Sequence, residues 1–167
     1  MRYFFKQCRT AEELKKLYHK LAMKYHPDSP TGNAEVMKQI NAEYREMWDK
    51  LKDIHFSYEK QEYYENTGDK KTSEVADDFI HIVTVLSNLG LDIEMCGSWL
   101  WITGNTYDCK DVLKEEGCRW SKSKKKWYYT QSPYRKTRKN YSMNTIRMMF
   151  GSEEIDTTKF KKERIVG

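Results

Sequence analysis

The sequence predicts an α+β protein: an N-terminal antiparallel helical hairpin, followed by a small domain with helices on one side of an antiparallel sheet. Two observations predict it. Apolar stripes of helical spacing, Leu14, Leu17, Leu21 and Tyr25 and then Met37, Ile40, Tyr44, Met47 and Leu51, flank a short loop containing Pro27, Pro30 and Gly32. Further on the period changes to two, in Leu91, Ile93 and Met95 and again over Trp99 to Thr103. A chain of 167 residues holds one ordinary domain or two small ones. We expect a helical domain over 1–65, a linker over 66–72, a small α+β domain over 73–150 and a flexible tail over 151–167.

The first helix is expected from Glu12 to Tyr25, with Thr10 as its cap and Glu13 as the partner three residues on. Tyr18 lies beside its apolar stripe, and Lys15, Lys16, His19, Lys20 and Lys24 cover much of the remaining surface. Pro27 stops the helix, because it lacks an N–H and disfavours helical geometry in the residue before it. Ser29 to Asn33 then make a tight loop before the second stripe, which Trp48 flanks. Two helices alone leave a thin core, so Tyr3, Phe4 and Phe5 are expected to close one open side.

His26-Pro27-Asp28 stands where the first helix ends. Alone, His26 reads as a cation favoured at a helix C-terminus, and no nucleophile or paired acid beside it implies catalysis. In register with the basic helix, the loop and the second stripe, the tripeptide resembles the signature of the J-domain (DnaJ/Hsp40-like) family. Leu14, Tyr18, Leu21, Ala22, Met23 and Tyr25 match the character of the family's helix before the tripeptide, and Ile40, Asn41 and Tyr44 that of the helix after it. The resemblance covers roughly residues 3–55 and departs twice: the usual first helix is reduced to the residues around Tyr3-Phe4-Phe5, and Glu43 stands where a small Ala is usual. It implies a noncatalytic co-chaperone without cofactors. Lys16, His19, Lys20, Lys24, His26, Pro27 and Asp28 would dock on a DnaK-like Hsp70-type ATPase, which does the ATP chemistry, while the client stays unknown.

After Leu51 the helical stripe fades, and a fraying helix is expected to end near Asn66-Thr67-Gly68-Asp69. Ser73 can cap a new helix bearing Val75, Phe79, Ile82, Val83, Leu86 and Leu89, with Gly90 just past its end. Two strands follow, turning at Cys96-Gly97-Ser98; then a helix from Tyr107 to Glu116, capped by Thr106, closed by Gly117 and burying Cys109, Val112 and Leu113. Cys118 to Trp120 and Trp127 to Tyr129 flank a Ser121 to Lys126 turn, and a last helix runs from Met143 to Phe150 between Ser142 and Gly151. Asp111, Lys114, Gly117, Trp120, Lys126, Trp127 and Tyr128 resemble a small Trp/Lys-rich module of phage and mobile-element proteins, which implies binding rather than chemistry.

Charge is concentrated in that half: residues 111–140 hold ten Lys and Arg against three Asp and Glu. Arg119, Lys122, Lys124, Lys125 and Lys126 surround Trp120, Trp127, Tyr128 and Tyr129, and Arg135, Lys136, Arg138 and Lys139 extend the charge. Such interleaving can neutralise phosphates while aromatics stack on unpaired bases, which would make the chain a nucleic-acid-binding adaptor with the hairpin as scaffold. It also suits an acidic protein partner, or a small core edged by a solvated turn. Cys8, Cys96, Cys109 and Cys118 form no close pair, so structural thiols in a reducing cytoplasm are expected, with neither metal site nor catalytic thiol. The apolar run from Phe79 to Leu86 is too short to cross a bilayer, and no signal-like run follows Met1.

Overall fold

Thr10 starts the first helix, its side chain accepting a hydrogen bond from the Glu13 N–H at 3.2 Å. The Glu13 carboxylate reaches back to the Arg9 N–H at 2.8 Å, so one N–H of the first turn and one just before the helix are satisfied. These contacts come from a computed structural model of the protein that describes residues 3–57, 60–65, 75–131 and 140–160. Helix α1 spans Ala11–Tyr25 and α2 spans Ala34–Leu51, the latter capped by Asn33, whose Oδ1 accepts from the Val36 N–H. The chain divides into two compact units, one holding this hairpin and the other a five-stranded sheet.

The buried stripe of α1 is rotated from the expected one. Ala11, Leu14, Tyr18 and Ala22 are buried, while Leu17, Leu21 and Tyr25 are only half-buried. Tyr18 sets this rotation: its ring stacks on Tyr44 of α2 at 4.0 Å, and its hydroxyl donates to Asn41 Oδ1 at 2.8 Å. Phe5 is fully buried edge-on to Tyr44 and closes the open side as expected, whereas Tyr3 is exposed. Residues 3–10 form turns rather than a helix, and Glu43 holds them by accepting the Phe4 and Phe5 N–H groups at 3.0 and 2.9 Å. The two departures from the J-domain pattern are therefore one feature: a carboxylate on α2 secures the segment that replaces a helix.

Beyond α2 the expected fraying helix is instead a hairpin, β1 (Ile54–Ser57) antiparallel to β2 (Glu62–Glu65). Phe56 packs edge-on to Tyr63, and His55 meets Glu12 of α1 at 2.5 Å, which ties β1 to the helix. The expected end at 66–69 and the Ser73 cap lie outside the described residues.

In the second unit, α3 (Ala76–Asn88) ends at Gly90, whose φ of +72° suits glycine. Strands β3 (Asp92–Cys96), β4 (Trp99–Thr103), β5 (Arg119–Ser121), β6 (Lys126–Tyr129) and β7 (Glu153–Glu154) form an antiparallel sheet in the order β5-β6-β4-β3-β7. One face carries Ile93, Met95, Leu100, Ile102 and Trp127, buried like Phe79, Ile80, Ile82, Val83 and Leu86 of α3 and Leu113 of the short α4 (Lys110–Glu115). Val75 and Leu89, expected on the α3 stripe, are exposed. Helix α4 starts three residues later than predicted: Cys109 occupies the cap position without a side-chain capping bond, and Thr106 does not serve.

Helix α5 spans Met143–Phe150 as expected, with Ser142 accepting from the Thr145 N–H and Gly151 closing it. The tail is ordered further than expected. Residues 153–154 pair with β3, Ile155 donates its N–H to the Ile93 carbonyl, and Ile155 and Phe160 are buried.

Candidate functional site

The C-terminal end of α1 exposes carbonyls that the following residues satisfy one by one. The His26 N–H closes the helix on the Ala22 carbonyl at 2.9 Å, and the Asn33 N–H reaches the Tyr25 carbonyl at 2.9 Å. Ser29 and Thr31 donate their hydroxyls to the Lys24 carbonyl at 3.2 and 2.7 Å. Pro27 then sits second in a turn closed by the Ser29 N–H on the His26 carbonyl at 2.8 Å, the place its fixed φ favours.

Within this turn His26 is buried, whereas Pro27 and Asp28 are exposed. Its Nδ1 accepts the Asp28 N–H at 3.1 Å, so the neutral ring carries its proton on Nε2. The imidazole thereby fixes the backbone that presents Asp28, whose side chain is 67% exposed. Gly32 completes the turn. A Cβ there would lie 2.1 Å from the His26 carbonyl oxygen and 2.9 Å from Pro27 Cα, so only glycine lets the loop close. The sequence places Gly32 in the loop, but the need for glycine there follows only from the close approach of the His26 carbonyl.

The expected docking residues separate by depth. Lys16, Lys20 and Lys24 recur every fourth residue and form one strip leading to Pro27-Asp28, with Lys24 Nζ 5.2 Å from the Tyr25 ring centroid. Lys15 instead covers Trp48 of α2. His19, expected on this surface, is 1% exposed, because its position on α1 turns toward the buried stripe; it belongs to the interior of the unit.

The second set separates by sheet face. Trp127 is buried on the face that also carries Leu100 and Ile102, across from Ile102 on one side and Trp120 on the other; helices lie on both sides of the sheet rather than on one as expected, since α5 bonds Glu94 on the opposite face. It is a core residue, and the expectation that it contacts a partner is corrected by that register. Trp120 stays 47% exposed on the edge strand. Tyr128 points to the other face, where it stacks on Trp99 at 5.2 Å and meets Trp101 at 5.6 Å. Arg119 lies directly across from Tyr128, and Lys126 is two residues before it. Lys122, Lys124 and Lys125 occupy the connecting turn, in which Lys124 Nζ donates to Asn140 Oδ1. Arg135, Lys136, Arg138 and Lys139 lie outside the described residues. Trp99 and Trp101 were missed as neighbours of this cluster, since only strand register brings them beside Tyr128.

On the same face, Glu94 accepts from Arg147 Nε and Nη2 of α5 at 2.5 and 3.0 Å and from the Ser152 hydroxyl at 2.6 Å. The guanidinium, outweighing partial burial, holds the Glu94 carboxyl at about 2. Burial pushes the thiols of Cys8 and Cys96 up to about 11 and that of Cys118 to about 12, which removes thiolate character. Among the described residues no group of three His, Cys, Asp or Glu side chains is placed to hold a metal ion, and no helix is long and apolar enough to cross a membrane.

Comparison with known proteins places the first unit. Residues 5–57 match the DnaJ domain. The chain is 41% identical over 64 residues to a chaperone protein DnaJ of Finegoldia magna, covering 36% of this chain and 15% of that protein. It is 60% identical over 30 residues to protein SIS1 of Saccharomyces cerevisiae, covering 18% and 8%, and 44% identical over 59 residues to a chaperone protein DnaJ of Chlamydia felis, covering 35% and 14%. The chain thus spans only a small part of these relatives' length. No solved structure matches it with significance. The helical hairpin carrying His26-Pro27-Asp28 is homologous to the DnaJ domain.

Proposed function

We propose that the first unit docks on a DnaK-like Hsp70-type ATPase and stimulates its ATP hydrolysis, the chain itself being noncatalytic. The observation that carries this reading is the closed turn at the end of α1, which hides His26 and presents Pro27 and Asp28 beside the strip of Lys16, Lys20 and Lys24. A cationic strip steers an acidic partner surface, and a fixed turn costs little ordering on contact. In this role His26 positions Asp28 and does not touch the partner.

The second unit would then choose the client or the place of action within a reducing cytoplasm. Its buried thiols Cys96 and Cys118, pushed up by burial, favour binding over thiol chemistry. Steady-state ATP turnover by a DnaK-type Hsp70, with and without the protein, tests the reading. Wild type is expected to accelerate turnover, and His26→Gln to abolish the acceleration with an unchanged circular dichroism spectrum. Equal stimulation by both forms would remove the role assigned to His26.

A further inference from the structure

One row of cross-strand neighbours runs across the whole sheet of the second unit: Glu154, Glu94, Trp101, Tyr128 and Arg119, one residue from each strand. Its two ends are chemically opposed. At the β7–β3 end the charges are acidic, and α5 reaches over Glu94 through Arg147, satisfying that carboxylate. At the β6–β5 end they are cationic: residues 119–128 contain five Lys and Arg and no Asp or Glu.

Between these ends lie three rings. Trp99 stacks on Tyr128 at 5.2 Å with an interplanar angle of 21°, and on Trp101 at 6.0 Å with 25°. Trp101 is buried, while Trp99 and Tyr128 keep part of their surface open. Arg119 and Lys126 share this face by register, and the turn carrying Lys122, Lys124 and Lys125 continues the positive edge.

We propose that this face, through Trp99, Tyr128, Arg119 and Lys126, binds single-stranded nucleic acid. Unpaired bases would stack on the open parts of Trp99 and Tyr128 while phosphates follow the cations toward the turn. Charge complementarity selects a polyanion, and the parallel rings select one with planar apolar groups. An acidic peptide would use the cations and leave the rings idle, and a duplex keeps its base faces stacked away. The proposal does not depend on the ATPase reading, because every residue it uses belongs to the second unit.

The test uses the full chain and a fluorescein-labelled oligothymidylate of about 20 nucleotides, followed by anisotropy at low salt. Wild type is expected to bind, with affinity falling steeply as salt rises from about 50 to about 200 mM. Tyr128→Ala is expected to weaken binding roughly tenfold, as loss of one stacking ring would. Lys122, Lys124 and Lys125 changed together to Gln should flatten the salt dependence, and Trp120→Ala, altering the other face, should leave affinity within about twofold. Circular dichroism and a thermal melt of each variant separate lost binding from lost folding. Absence of binding by wild type at low salt overturns the proposal. So does equal affinity for a poly-glutamate peptide, or a loss with Trp120→Ala that folded Tyr128→Ala does not show.

Discussion

The two units present their surfaces by different means. In the first, the turn at His26 is built from residues within one stretch of chain, Lys24 to Asn33, each bond spanning at most eight residues. In the second, the aromatic face is assembled from β4 and β6, whose paired residues Trp101 and Tyr128 are distant in sequence. A locally closed turn can be recognised as a motif, because its chemistry and its spacing are written together. A cross-strand surface exists only once register is fixed, and a shift by one residue would send Tyr128 to the buried side.

The largest expected effect tests how the first unit supports its turn. Phe5 is fully buried against Tyr44, and Phe5→Ala should cost about 4 kcal/mol, seen as a lower urea midpoint for the first unit. Gly32→Ala comes next, at about 3 kcal/mol, since the added methyl meets the His26 carbonyl and Pro27. Its signature differs from that of Phe5→Ala: ATPase stimulation should be lost even under conditions where circular dichroism shows the helices intact. Normal stimulation by Gly32→Ala would show that the turn tolerates reopening.

Glu43→Ala should cost about 2 kcal/mol by releasing the Phe4 and Phe5 N–H groups, readable as faster amide exchange at those two positions. The smallest effect lies in the second unit. Glu94 has a folded value of about 2 against an ordinary 4.5, so its contribution is complete above 4.5 and is lost as pH falls toward 2. Glu94→Gln should cost about 1 kcal/mol near neutral pH and flatten the acid limb of the second unit's stability between those values. ATPase stimulation should not change. An unaltered acid limb in Glu94→Gln would contradict the part given to the Arg147 pair.

Helix ends were the most legible part of the fold. Thr10, Ser142, Gly90 and Gly151 act where the sequence placed them, because capping is chemistry between near neighbours. The β1–β2 hairpin was not legible. Every residue of β2 is exposed, so Glu62-Tyr63-Tyr64-Glu65 carries no alternation of apolar and polar positions. The tail misled for a related reason: Glu153 and Glu154 look like solvated charge, and only pairing with β3 places Ile155 and Phe160 in the interior.

At the candidate sites, residue type was legible and depth was not. The tripeptide and the lysine strip could be read from spacing, but the burial of His19 and His26 follows from how α1 rotates to stack Tyr18 on Tyr44. In the second unit the positive charge was plain, whereas the exchange of Trp127 for Trp99 as the aromatic partner of the lysines required the register of β4 on β6.

The central claim is that the exposed end of the His26 turn engages the ATPase. Asp28 tests it most directly, since its carboxylate is exposed and the hydrogen bond to His26 comes from its backbone N–H at 3.1 Å, the carboxylate lying farther off, 3.9 Å from the same ring nitrogen. Single-turnover ATP hydrolysis by a DnaK-type Hsp70 should be accelerated by wild type and not by Asp28→Asn, with the melting temperature of the variant unchanged. Full acceleration by Asp28→Asn would contradict the account.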